Sequence, residues 1–230
     1  MTLSREVQER WNRMLDDPDP EVQMRALAEI GQAYFRRAVA REPAKKVFLA
    51  EAEDIARISG WIPETSLTVS HVPWKLSESL RAAIFEKLKS EKAEIRAEAA
   101  LALVHWHDEE TVQKLVQSLK DPERIVRLAG IQALFTMKES AIIPHLLDVA
   151  EKDSDELVQA YALNALEGLL RAEVKAEEEK PPTAVLTAGP IRNRGTAKQD
   201  LLERLEKIGK ATSSPFVAAL VARAREQLLG

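Results

Sequence analysis

Apolar residues recur along this chain with a helical period. Four ten-residue segments align without gaps: Glu21–Ile30, Glu94–Leu103, Ile125–Leu134 and Leu157–Leu166. Their second position is always β-branched (Val22, Ile95, Val126, Val158). Their sixth is small (Ala26, Ala99, Gly130, Ala162), and their tenth is large and aliphatic (Ile30, Leu103, Leu134, Leu166). The spacing i, i+4, i+8 marks one stripe of an α-helix. A small residue in mid-stripe lets a neighbouring helix come close. The last three copies begin 31 and 32 residues apart, and the first two begin 73 apart, about two periods plus an insertion. Second helices are predicted at Thr111–Leu119 and Ala141–Ala150, so each repeat is a helix–turn–helix pair.

The turns carry start signals. In Asp19-Pro20-Glu21 and Asp121-Pro122-Glu123 the aspartate caps free amides and proline opens the helix, where its missing donor costs nothing. Ser77, Asp108, Ser140 and Asp153 or Ser154 offer similar caps, Thr196–Gln199 fits a capping box, and Ser214-Pro215 opens the last helix. That helix is expected to bury Val217, Val221, Ala224 and Leu228.

Carried by DPDPEVQMRALAEIG at Asp17–Gly31 and LKDPERIVRLAGIQALFTMKESAIIPHLLDVAE at Leu119–Glu151, the sequence resembles the HEAT-repeat family, in particular the short HEAT-like repeats of phycobilisome lyases. The resemblance implies an all-α, right-handed α-solenoid whose second helices line a concave surface. Stacking suits the residues too, because a lone helix pair cannot bury its stripe. A single domain over 1–230 is expected, with capping helices at 196–230. Two stretches depart from the pattern. Arg41–Leu76 contains a helical piece, Lys45–Ser59, and an irregular insertion near 60–75 with Trp61 and Trp74. Glu173–Gly195, acidic and then proline-containing, is expected to be a loop acting as a linker.

Composition narrows the chemistry. The 230 residues include 33 Lys plus Arg and 37 Asp plus Glu, a net charge of −4, which does not suit a general nucleic-acid coat or a polybasic membrane binder. Cysteine is absent, which removes disulfides and thiolate chemistry and fits a reducing, cytoplasmic setting. No apolar run approaches a membrane span, and the first residues lack the apolar stretch of a signal peptide.

His105-Trp106-His107-Asp108 is the most metal-like string, but i and i+2 on a helix point about 200° apart. It reads as a helix end, where the dipole favours His, followed by a cap. HEAT-like deoxyhypusine hydroxylases hold iron with His-Glu dyads; no such pair occurs in this chain. His145 reads as a packed or solvent-facing residue, and His71 lies in the irregular insertion. The eight glycines build no phosphate-binding motif. The cluster Arg36, Arg37, Arg41, Lys45 and Lys46 reads as a solvated face.

At the third position of their repeats stand Arg96 and Arg127, with Gln23 and Gln159 in the others. In HEAT-like arrays such an arginine pairs with a capping aspartate of a nearby turn, here Asp121 or Asp153. The fourth and eighth positions are expected on the concave face, where Met24, Leu101 and Leu128 form an apolar strip. The expected activity is a non-enzymatic protein-binding scaffold or adaptor, without cofactor, catalytic residue or metal. Its protein-binding residues are Met24, Leu101, Arg127, Leu128, Gln132, Asn164 and Trp74. The partner is a protein, with no membrane, and nucleic acid is not expected. Two family analogies stand as alternatives: a bilin lyase or lyase-like chaperone, and a nucleic-acid binder resembling the HEAT-like alkylpurine glycosylases.

Overall fold

The caps foreseen in the sequence set where helices begin. In the computed structural model, which describes residues 4–39, 76–137, 140–178 and 195–229, helix α1 spans Arg5–Leu15 and α2 Pro20–Val39. Helices α3 (Glu78–Lys87), α4 (Ala93–Ala102), α5 (Glu109–Ser118) and α6 (Arg124–Met137) follow. Then come α7 (Ile143–Lys152), α8 (Glu156–Glu178), α9 (Gly195–Ala211) and α10 (Pro215–Leu229). A 3₁₀ turn, Leu103–His105, ends α4, and another, Ser140–Ile142, precedes α7. Ser77 accepts the Leu80 amide at 3.3 Å, Asp108 that of Thr111 at 3.0 Å, and Ser214 that of Val217 at 3.3 Å. Each capping oxygen satisfies one of the free donors of a first turn.

Two boundaries differ from the sequence reading. Helix α9 already begins at Gly195, so Thr196 lies inside it and not before its start. Helix α8 runs on to Glu178, absorbing the first part of the expected 173–195 loop. The reason is propensity: Glu173-Val-Lys-Ala-Glu-Glu178 is rich in residues that lose little freedom in a helix. The helical reading of Lys45–Ser59, and Trp61 and Trp74, fall outside the described residues.

The architecture is an all-α repeat of solenoid type. The chain divides into two compact units, Met1–Met137 and Lys138–Gly230, where a single domain was expected. The boundary falls between hairpins, so each tight pair stays whole. In unit 1 the pairs are α1 with α2, α3 with α4, and α5 with α6; α2, α4 and α6 stack in turn, and α1 lies against α3. In unit 2 the pairs are α7 with α8 and α9 with α10; α8 packs on α10 and α7 on α9.

The stripe is the core. Ala26, Ile30, Ala99, Leu103, Leu134, Val158, Ala162 and Leu166 are fully buried, as are Val217 and Ala224 of the last helix. Val22 alone among the β-branched positions is half-buried. At Gly130 an added Cβ would sit 3.2 Å from both Leu119 Cδ2 and Ser118 Cβ, so the missing side chain sets how closely α6 lies on α5.

Candidate docking surface

The described hairpin turns share one design. One residue's side-chain oxygen accepts the amide two positions on: Asp17 from Asp19 at 2.9 Å, Ser90 from Lys92 at 3.3 Å, and Asp121 from Glu123 at 2.9 Å. Asp153 accepts from Asp155 at 2.9 Å and Thr212 from Ser214 at 3.1 Å. The carbonyl of that same residue receives a side chain from six positions on, the third position of the repeat. Gln23 donates to Asp17 O at 2.6 Å and Gln159 to Asp153 O at 2.7 Å. Arg96 donates to Ser90 O at 2.8 Å and Arg127 to Asp121 O at 2.9 Å. Arg127 also reaches Pro122 O at 2.9 Å. Ala218 holds this place in the last hairpin and has no donor to offer.

Arg96 does more. Its Nε and Nη2 each donate to Asp121 of the next turn at 2.8 Å, a two-pronged pair with both side chains 13% exposed. Burial pushes the Asp121 carboxyl up, but the Arg96 hydrogen bond, the Glu123 amide and the Arg96 and Arg127 charges outweigh it and hold the group below the usual carboxylate range. The equivalent junction of unit 2 has Gln159 and Thr212 in these roles, and there a cleft of about 450 Å³ opens, lined also by Lys152, Ser154, Lys207 and Ser213.

The expected binding strip is corrected by burial. Leu128 is 1% exposed and Leu101 6%; both are core. Helix α4 has α2, α3 and α6 around it, so almost its whole circumference is covered and a one-stripe pattern undercounts its buried face. Gln132, 5% exposed, donates to Thr136 Oγ1 at 3.2 Å. Arg127 is engaged with its turn. Met24 on α2 and Asn164 on α8 are half-buried, and Trp74 lies outside the described residues. The structure thus brings Leu101, Arg127, Leu128 and Gln132 onto the adjacent helices α4 and α6, with Met24 on the next helix, α2. Asn164 belongs to unit 2.

Of the ridge at the fifth, eighth and twelfth positions, the sequence reading had only the eighth, Leu101 and Gln132, which it took for a concave face, and it missed the other two. These positions share one line of a helix, roughly 120° round from the stripe. On α4 and its 3₁₀ turn they are Glu98, Leu101 and His105; on α6 they are Ala129, Gln132 and Thr136. Glu98, His105, Gln132 and Thr136 are all buried polar groups. The signal was a glutamate in an otherwise alanine-rich stretch, EIRAEAALAL. His105 is not the charged helix end its position suggested. Its Nε2 donates to Ile30 O at 2.7 Å, and burial carries the imidazole down to about 4, so it is neutral. Trp106 packs on it edge-on at 5.9 Å. His107 and His145 are exposed, and no group of three metal-binding side chains occurs among the described residues.

Comparison with known proteins agrees with this layout. Residues 81–167 match the family model described as HEAT repeats. Over that stretch the chain is similar to HEAT repeats. The matched stretch runs from α3 into α8 and includes three of the four aligned stripes. Among solved structures the chain is similar to an engineered protein known from a crystal structure: 16% identity, 98% of this chain and 97% of that chain covered, TM-score 0.41. It is also similar to a designed armadillo repeat protein: 15% identity, 95% of this chain and 98% of that chain covered, TM-score 0.39. No curated protein matches it. No described helix is long and apolar enough to cross a membrane.

Proposed function

We propose that this protein is a non-enzymatic scaffold that binds another protein along its stripe helices. The observation that carries the reading is the polar ridge beside the core stripe, with Gln132 and Thr136 on α6 and Glu98 and His105 on α4. A helix layer built only for stacking has no need of such groups, because buried polar atoms cost stability unless matched. Half-buried Met24 marks where the stripe helices of unit 1 meet solvent, and half-buried Asn164 does so in unit 2. HEAT repeats commonly mediate protein binding, which supports the same reading. The cysteine-free sequence supports a cytoplasmic setting.

The test is photo-crosslinking in source cells, with the reactive residue placed at Met24, at Asn164, or at Glu226 on the exposed side of α10. Discrete protein adducts at the first two positions and none at the third are expected. A folded protein that gives no adduct at Met24 or Asn164 removes the reading.

A further inference from the structure

Two glutamates are buried on stripe helices, and they are treated differently. Glu167 on α8, 2% exposed, is held by Arg171 and by Arg223 of α10, the latter at 2.6 Å. Glu98 on α4, 4% exposed, has an Oε1 with no hydrogen-bond partner. An ionised carboxylate in such a place is strongly disfavoured, and the group instead takes up a proton.

The helices packed on α4 do bring charge, but it is spent elsewhere. On α2, Arg25 pairs with Glu29 at 3.3 Å. On α3, Arg81 pairs with Glu78 at 2.6 Å and with Asp108 at 2.7 Å, and Glu86 pairs with Lys89 at 2.7 Å; Lys87 closes that helix. On α6, Arg127 serves the turn carbonyls and Arg124 opens the helix. Of α4's own charges, Arg96 is paired with Asp121, and Glu94 lies exposed in the first turn. His105, in the turn that ends α4, is neutral and bonded to Ile30 O. Among the described residues none of these acts on Glu98; burial alone pushes its carboxyl up, to about 7.

We propose that a proton on Glu98 latches α4 between α2 and α6, and that losing it loosens α4 from both neighbours. Glu98 also stands in the ridge cited for docking, but the latch needs no docked partner. Helix α2 rests directly on α4: a Cβ added at Gly31 would be in ordinary contact with Leu101 O, at 3.6 Å. An ionised Glu98 gains water only if α4 shifts. The direction follows from linkage. The folded carboxyl titrates above the unfolded one, so the latched state is favoured at low pH and weakens as pH rises from about 4.3 toward 7.

The test uses the full chain. Amide exchange of the α4 segment is followed from pH 5 to 8 in wild type and in Glu98→Gln, with α8 as internal control. The Glu98 carboxyl is titrated separately by ¹³C NMR in wild type. The ratio of α4 opening constants, wild type over variant, is expected to grow roughly 40-fold between pH 5 and 7 and to level off above pH 7. The α8 ratio is expected to stay flat. A constant α4 ratio, an equal rise in α8, or a carboxyl that titrates near the ordinary value of about 4.3 overturns the latch. Should Glu98→Gln not fold, the wild-type titration decides alone.

Discussion

The junction between the second and third described hairpins of unit 1 and the junction between the two hairpins of unit 2 are versions of one design. Both have a turn clamped through its carbonyl by the third-position side chain, Arg96 in the first and Gln159 in the second. Only the first adds an ion pair to the following turn, Arg96 with Asp121. The second has Gln159 and Thr212 and an open cleft between them. The difference separates two jobs that one arginine performs together. Holding a hairpin's own turn needs only a donor long enough to reach the carbonyl, and an amide suffices. Tying that turn to the following one takes a second, charged partner, as Arg96 has in Asp121.

The sharpest way to break the comparison is to remove the carboxylate. Asp121→Ala leaves a largely buried guanidinium with only its carbonyl partners and strips the Glu123 amide of its cap. A loss of about 2 kcal/mol is expected in denaturant unfolding followed through unit 1. A loss below about 0.5 kcal/mol would show that the pair contributes no more than an exposed one. Its pH dependence has a defined sign. Because Asp121 is held below its ordinary pKa, the advantage of wild type over Asp121→Asn is whole above about pH 4 and shrinks as pH falls through the folded value. An advantage that instead grows in acid would contradict the pairing.

In unit 2 the corresponding break is milder. Gln159→Ala removes one hydrogen bond to Asp153 O, and about 1 kcal/mol of destabilisation is expected in thermal unfolding. Building the missing pair is the smallest effect. Gln159→Arg with Thr212→Asp should fill the cleft, with a coupling of about 0.5 kcal/mol in a double-mutant cycle. Zero coupling would mean that the two junctions differ in backbone spacing as well as in residue type.

Much of the repeat was legible because each core position restricts side-chain shape. A β-branched second residue, a small sixth and a large tenth are all visible in letters, and so was the pairing of Arg96 with Asp121. The turn clamp was not, because its acceptor is a backbone carbonyl that any residue supplies. Arg and Gln at one position looked like a charge ladder with gaps, although all four share a task. The candidate docking residues were read least well. Leu101 and Leu128 were assigned to an outer face by assuming one covered side, whereas stacked helices cover several. Glu98 escaped because a charged letter is ordinarily taken for a solvated one.

The clamp also shows where such a chain tolerates extra length. Donor and acceptor stand six residues apart inside one turn, so added residues there would pull them out of reach. The steps from α2 to α3 and from α8 to α9 instead lie outside every described clamp. Length can be added or exchanged there over generations without unfastening any described corner on either side.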